Sequence, residues 1–429
     1  MPPTCPPKVL VGDDQVRLAA IGLELGHQRT QELVEHDLGR ANADAQEVLA
    51  GAGAQLRSTL FVTRTAQLCN RRQLLSAARL PSDSQGPASF GGVNCLNEHQ
   101  LLEAARAGDE SAFARLVEPH RGALHAHCYR MLASVHDAED ALQETLLAAW
   151  RGIGGFKGRS SLRRWLYSIA TNVCLRALER EPKRVLPIDY APAADPRDGL
   201  GEPLVESVWV EPYPERPGVG EGLASPEARY EQRESVELAF IAALQHLPAR
   251  QRAVLILRDV LGFSARETAE ALETTPTGVD SALQRAHKTV DERLPERSQQ
   301  EVLSSLDDQR LREIVEGYAD AWERADVDAI VAMLTDEAAF TMPPMPTWYR
   351  GREAVAAFMR GWPLSGADRW RMVPVRANGQ LAFGHYVWNA ETETFTPHGI
   401  TVLTLEGDRI AEITSFVEPG HFASSPEPS

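Results

Sequence analysis

FKGRSSLRRWLYSIATNVCL, Phe156 to Leu175, interleaves Lys157, Arg159, Arg163 and Arg164 with Phe156, Trp165 and Tyr167, then turns polar at Ser168, Thr171 and Asn172 on a helical repeat. Cations that hold phosphates, set beside aromatic rings that stack on unpaired bases, are the chemistry of single-stranded nucleic acid binding. Leu162, Trp165, Leu166, Ile169 and Val173 also recur at the spacing of one buried helix face. An ordinary amphipathic helix with solvated charges would show the same pattern, so the neighbouring chain has to decide.

Upstream, the pattern becomes helical at Glu98. Leu101, Leu102 and Ala105, then Phe113, Leu116 and Val117, mark two amphipathic stretches broken at Gly108-Asp109, and Leu124 to Leu132 continues a third. Asp137, Glu139, Asp140 and Glu144 head an apolar-periodic run through Leu142, Leu146, Leu147 and Trp150. Acids suit the positive end of a helix, which accounts for Asp137 and Glu139. It accounts less well for Gln143 and Glu144, one turn further along. An acidic helix face followed at once by a basic aromatic one points to two different partners.

The formal net charge of −16 over 429 residues argues at first against nucleic acid. Its distribution argues the other way. Between Arg151 and Arg184, the bases Arg151, Lys157, Arg159, Arg163, Arg164, Arg176, Arg180, Lys183 and Arg184 face only Glu179 and Glu181, and a local basic patch governs binding more than the sum does. No run approaches the roughly 20 apolar residues of a membrane span, so a soluble protein without membrane contact is expected. Cys5, Cys69, Cys95, Cys128 and Cys174 are scattered and form no C-x-x-C pair, which implies neither a disulfide framework nor a zinc site. His125, His127 and Cys128 do not converge on one helical face, so no metal or other cofactor is expected, and a reducing cytoplasm is the expected compartment.

A second constellation is HLPARQRAVLILRDVLGFSARETAEALETTPTGVDSALQRAHKTV, His246 to Val290. Pro248 suits a first helical position, Val254, Leu257 and Leu261 share a face, and Gly262 ends that helix. Ser264 and Glu267 form an S-x-x-E capping box that opens a short helix through Leu272. Thr275 caps the next, with Pro276 first and Val279, Leu283, Ala286 and Val290 on its inner face. Two helices joined by a three-residue turn make a helix-turn-helix. Plain packing of two helices would also fit, but Thr277, Asp280, Ser281, Gln284, Arg285 and Lys288 point outward, and such side chains suit base edges and phosphates in a major groove.

The stretch DAEDALQETLLAAWRGIGGFKGRSSLRRWLYSIATNVCL resembles region 2 of the extracytoplasmic-function sigma factors, promoter-reading subunits of bacterial RNA polymerase. The resemblance spans about 85 residues, Glu98 to Arg184. It implies that Asp137, Glu139, Asp140, Gln143 and Glu144 dock on the polymerase clamp helices. It also implies that Lys157, Arg159, Arg163, Arg164, Trp165, Tyr167, Thr171 and Asn172 capture and melt the minus-10 element. His246 to Val290 resembles region 4 of the same family, whose last helix reads the minus-35 element and whose polymerase contact is the flap. Nothing between the two corresponds to region 3 of larger sigma factors.

Residues 185–228 are acidic and rich in proline, a linker that cannot hold a core of its own. Within it VWVEPYPE, Val208 to Glu215, carries Trp209 and Tyr213, which are expected to dock against a folded domain. Residues 1–95 show no sustained periodicity and no secretory signal. They read as a poorly ordered extension, or as the product of a start codon placed too far upstream.

The last third is of a different kind. Leu311, Ile314, Val315, Tyr318 and Trp322 keep a helical stripe, Asp326 caps a second helix, Ala339 to Met342 reads as a strand and Arg352 to Arg360 as a helix. Trp370 to Arg376 and Leu381 to Trp388 flank an Asn378-Gly379 hairpin turn, and Gly399 to Leu405 and Arg409 to Phe416 flank Gly407-Asp408. This α+β pattern, with YADAWERADVDAIVAMLTDEAAFTMPP and TWYRGREAV, resembles the SnoaL-like domains, whose relatives include polyketide cyclases and ketosteroid isomerase. That resemblance implies a cone with a curved antiparallel sheet around an apolar pocket for a small hydrophobic ligand. Met342, Trp348, Tyr349, Trp370, His385, Tyr386 and Trp388 are candidate walls, although strand parity lets only one of His385 and Tyr386 point inward. Asp320, Asp336 and His385 are the candidate acid/base groups, and no spacing certifies them.

The expected architecture is therefore multidomain: an extension (1–95), sigma region 2 (96–184), the acidic linker (185–228), region 4 (229–295), a connector (296–305) and a SnoaL-like domain (306–426). The expected function is promoter recognition, melting and initiation with core RNA polymerase and promoter DNA, without catalysis, the last domain regulating the others in cis. Two rivals remain open. In one, the last domain works as a cofactor-independent isomerase, cyclase or hydrolase; in the other, a helix-turn-helix regulator binds DNA without polymerase.

Overall fold

Short polar residues set the helix starts of the first domain. In the computed structural model, which describes residues 98–180, 183–204, 208–214, 235–366 and 368–417, Asp109, Ser134 and Ser161 each accept a hydrogen bond from the backbone N–H three residues on. They cap α2 (Glu110–Val117), α4 (Val135–Gly152) and α5 (Leu162–Leu178). With α1 (Glu98–Arg106) and α3 (Arg121–Leu132) these helices close over Leu124, Met131, Leu142, Leu166 and Ala170. The expected N-terminal extension lies outside the described residues.

In the second domain, α7 (Leu238–Gln245), α8 (Ala249–Leu255), α9 (Ala265–Ala271) and α10 (Pro276–Asp291) follow the short linker helix α6 (Pro187–Tyr190). Pro248 occupies the cap position of α8 rather than its first helical position, and α8 runs into a π turn over Ile256–Val260 before Gly262, at φ 71°, reverses the chain. The Ser264–Glu267 capping box is formed, and Thr275 caps α10.

The expected connector contains a helix of its own, α11 (Gln299–Ser304), with Ser298, Gln299 and Gln300 buried. It is followed by α12 (Asp308–Glu323), α13 (Val327–Met333), β1 (Leu334–Thr341), β2 (Trp348–Arg350), α14 (Arg352–Gly361), β3 (Trp370–Ala377), β4 (Gln380–Asn389), β5 (Thr394–Glu406) and β6 (Arg409–Phe416). The six strands lie in the order β2-β1-β6-β5-β4-β3. The expectation of a purely antiparallel sheet is corrected at one seam: β1 and β6 pair in parallel. That pairing joins strands separated by most of the domain, which is the long connection a parallel pair needs. β2 was not anticipated, because Pro343, Pro344 and Pro346 interrupt the pattern just before it.

Both faces of this sheet are covered. On one, Leu381, Phe383, Leu403 and Ile413 pack with Ile314, Tyr318 and Trp322 of α12. On the other, Ala382, Tyr386, Ile400, Val402 and Phe416 continue without a break into the core of the two helical domains. Burial of β4 on successive residues from Gln380 to Tyr386 follows from this sandwiching.

Candidate nucleic-acid interface

The polar side of α5 is largely occupied. Arg163 is exposed and lies over the Tyr167 ring at 4.9 Å, while Tyr167 is buried and meets Phe263 of the second domain edge-on at 6.2 Å. Thr171 is fully buried; its hydroxyl donates to the Tyr167 carbonyl at 2.7 Å and pairs with His127 Nε2 at 2.9 Å. Burial, with Arg130 and Arg163 nearby, pulls His127 down to about 3, so it stays neutral. Arg164 pairs with Glu267 of α9 at 2.5 Å, and Asn172 donates to the Ala271 carbonyl at 3.3 Å. Trp165 is half-buried against Phe156 at 5.0 Å and over Gly152, where a Cβ would come within 3.3 Å of the indole. Lys157 and Arg159 remain in solvent. The expectation that all eight residues offer themselves to DNA is thus corrected: Tyr167 and Thr171 are core groups, and Arg164 and Asn172 are engaged by the second domain.

On α4, Asp140, Gln143 and Glu144 are exposed, with Glu144 held by Arg176 of α5 at 2.8 Å. Glu139 accepts a long hydrogen bond from Gln143 at 3.5 Å. Asp137 differs from the rest of the acidic set. It is half-buried and takes a hydrogen bond at 2.5 Å from Arg184, whose guanidinium is buried and also donates to the Trp209 carbonyl at 3.0 Å. The outer face of α10 is exposed by contrast, with one long ion pair from Asp280 to Arg258 at 3.9 Å. Thr277, Asp280, Ser281, Gln284, Arg285 and Lys288 are all exposed, while Val279, Leu283, Ala286 and Val290 are buried. His287, on the flank, bonds Asp259 at 2.5 Å, which raises its pKa.

The chain matches the description Sigma-70 region 2 over residues 116–184, Sigma-70, region 4 over 237–290 and SnoaL-like domain over 315–413. It is 42% identical over 330 residues to the ECF RNA polymerase sigma factor SigG of Mycobacterium tuberculosis, covering 76% of this chain and 86% of the relative. The chain belongs to the ECF RNA polymerase sigma factor family. SigM of the same organism is 31% identical over 197 residues, 46% of this chain and 84% of the relative. The crystal structure of the Mycobacterium tuberculosis sigma factor SigJ covers 72% of this chain and 97% of its own, at a TM-score of 0.47 and 22% identity. The protein is accordingly a transcription initiation factor that works with core RNA polymerase on promoter DNA.

Between the sigma regions, the linker runs against both neighbours. Trp209 is buried, its indole N–H bonded to the Leu204 carbonyl at 2.9 Å and its ring against Tyr190 at 5.3 Å. Glu211 accepts from the Val135 N–H at 2.8 Å and from His136 at 3.0 Å, over the start of α4. The Tyr213 hydroxyl bonds His125 at 3.0 Å, and its ring stacks at a tilt on Tyr129 at 4.6 Å.

All of this converges on the β3–β4 turn. Asn378, at φ 53° and fully buried, accepts from the Tyr213 N–H at 2.8 Å. Its amide donates to the Tyr129 hydroxyl of region 2 at 2.9 Å and to the Val236 carbonyl ahead of region 4 at 2.8 Å. Next to it, Gln380 accepts from the Leu238 N–H at 2.8 Å. The irregularity at Thr404–Leu405 leaves Leu405 to the Gln299 side chain, which bonds its N–H at 2.8 Å and its carbonyl at 3.0 Å. Sequence reading had no signal for these anchors beyond the Asn-Gly turn, since short amides carry no periodicity.

Inside the SnoaL-like domain, Met342, Tyr349, Trp370 and His385 face the helices. Trp370, His385 and His398 lie mutually within 6.0 Å, and His385 reaches Ser415 at 3.5 Å. Gly399 makes room for that imidazole, since a Cβ there would overlap it. Burial, then the neighbouring His398, pulls His385 down to about 3. Three wall assignments are corrected: Tyr386 lies on the opposite face, in the sigma core, and Trp348 turns to the linker, donating to the Ala191 carbonyl at 2.7 Å. Trp388 likewise faces away, packed on Phe395. Asp320 and Asp336 are exposed and paired with Arg324 and Arg352, so neither carboxylate enters the interior. Among the described residues no cluster could hold a metal ion, and no helix is long and apolar enough to cross a membrane.

Proposed function

We propose that this sigma factor is folded here in a closed state, in which region 4 covers the promoter-melting side of region 2 and the SnoaL-like domain holds the two together. The observation that carries the reading is the pair of contacts from α5 to α9: Arg164 to Glu267, and Asn172 to the Ala271 carbonyl. Both use groups that a melted strand would need. Opening frees Arg164 and Asn172 to join the already exposed Lys157, Arg159 and Arg163 at the minus-10 strand, with Trp165 beside them and Tyr167 and Thr171 positioning them from beneath. Asp140, Gln143 and Glu144 meet the clamp helices, region 4 meets the flap, and α10 reads the minus-35 element.

A domain tethered in the same chain acts at high effective concentration, so modest contacts suffice to keep the closed state populated. A small hydrophobic ligand against Trp370 and His385 would shift the balance by whatever it prefers between the two states. The catalytic alternative is disfavoured by Asp320 and Asp336, which leave the interior without a carboxylate from either candidate. Transcription with core polymerase tests the reading. Tyr213→Ala and Asn378→Gly should each raise promoter output, and the double variant should add little, because both act on one anchor. Unchanged output from both variants would refute cis regulation. Arg163→Glu with Arg164→Glu should abolish open complexes while core binding persists; unaltered permanganate reactivity of the melted strand would refute the minus-10 assignment.

A further inference from the structure

A cavity of about 330 Å³ lies at the seam of region 2, including its last residues Lys183 and Arg184, and region 4. Its apolar walls include Leu132 and Leu178 from region 2 and Leu247 from region 4. Its charged lining is Lys183, Arg184, Arg252 and Asp137, a surplus of two positive charges in a chain whose net charge is −16. Arg184 and Asp137 neutralise each other at 2.5 Å. The other two cations have no carboxylate partner among the described residues. Lys183 bonds the His246 imidazole at 3.0 Å, and Asp189, which holds the other nitrogen of that ring at 3.1 Å, acts on Lys183 from further off. Arg252 is 4% exposed and donates to the carbonyls of Met131, Gln245 and Leu247, while its Nε is buried with no hydrogen-bond partner. Burial lowers both Lys183 and Arg252, and an anion set between them would oppose that cost.

We propose that this cavity binds a small phosphate-bearing anion, held between Lys183 and Arg252, and that the bound anion clamps regions 2 and 4 in the closed state. Two fixed cations over an apolar floor suit a compact dianion better than an extended polymer. An anion that bridges two domains in one arrangement stabilises that arrangement by mass action. The clamping step rests on the closed-state reading above; the binding step does not.

The test uses the full chain, with inorganic phosphate and pyrophosphate as probes, followed by calorimetric titration and by thermal unfolding. Pyrophosphate should bind with one-to-one stoichiometry and raise the unfolding temperature. Lys183→Glu, an exposed position, should weaken binding about tenfold or more while leaving the unliganded melt unchanged, and Lys183→Arg should restore it. A Lys157→Glu and Arg159→Glu double variant, altered on the basic loop before α5, should bind pyrophosphate as the parent does. Absence of pyrophosphate binding, equal loss in both variants, or displacement by a short DNA oligonucleotide in preference to pyrophosphate would each overturn the cavity assignment, the last by making the seam a DNA-backbone contact. If pyrophosphate binds as expected but Tyr213→Ala and Asn378→Gly leave transcription unchanged, the clamping step and the closed-state reading fall while the site stands.

Discussion

The two helices proposed to face DNA in this sigma factor are treated in opposite ways by the rest of the chain. α10 keeps its whole outward face in solvent, from Thr277 to Lys288. α5 has Tyr167 and Thr171 sunk in the core and Arg164 and Asn172 bonded to α9. In the proposed closed state the protein presents the α10 face assigned to minus-35 reading while withholding the α5 face assigned to melting. Under that proposed state, regulation would act on strand opening before it acts on duplex reading.

The largest effect should come from removing the shared anchor. Asn378→Gly keeps the turn, since glycine accepts its positive φ, but strands the Tyr213 N–H and the Val236 carbonyl in a buried setting. At about 1–3 kcal/mol for each unsatisfied group, the variant should lose roughly 3 kcal/mol in urea unfolding, and α5 should become reactive while α10 is unchanged. A smaller effect is expected at the contact itself. Glu267→Gln keeps the capping box, which tolerates glutamine, but removes the charge that meets Arg164. Both side chains are partly exposed, so the cost should be at most about 1 kcal/mol, read as faster hydrogen exchange along α9 without loss of α10 protection.

Much of this architecture was legible. The inner face of α10, its caps and its outward set follow from spacing and capping chemistry, because a lone amphipathic helix obeys local rules. The Asn378-Gly379 turn and the strand alternation of the last domain followed in the same way. What periodicity could not disclose is which domain covers which face. Tyr386 and His385 differ only in parity, and nothing local says that the side opposite His385 is also buried. Trp348 looked like pocket wall because it is aromatic, yet its indole N–H is spent on the linker. Glu237, whose carboxylate accepts from the N–H groups of Gln299 and Gln300 at 2.9 and 2.8 Å, is an interdomain anchor visible only once α11 is placed.

Titration should separate the two helices further. His127, beneath α5, is held near 3 from an ordinary 6.5 by burial, so the fold prefers its neutral form. Its contribution is complete above about pH 6.5 and is lost as pH falls toward 3. His287, beside α10, is raised by its bond to Asp259, so its contribution is complete below pH 6.5 and is lost as pH rises through the raised value. Denaturation midpoints of His127→Gln and His287→Gln across that range should therefore diverge from the parent at opposite ends; parallel curves would contradict the assignment. The smallest effect on the fold belongs to α10. Alanine at Arg285 and Lys288 should leave stability within about 0.5 kcal/mol but flatten the salt dependence of DNA binding by roughly two in slope. Alanine at Ser281 and Gln284 should instead relax sequence preference by about 1–3 kcal/mol.

The most direct measurement places cysteines at Arg164→Cys and Glu267→Cys and joins them with a short bis-maleimide, so that α5 and α9 cannot part. Permanganate reactivity of promoter DNA is then compared, with core polymerase, between the joined and unjoined chains. The joined chain should still bind minus-35 duplex but leave the minus-10 strand unreactive, while the unjoined chain, though weakened by the loss of Arg164, should open it measurably. Equal reactivity from both would contradict the claim that the α5–α9 contact is what keeps the factor closed.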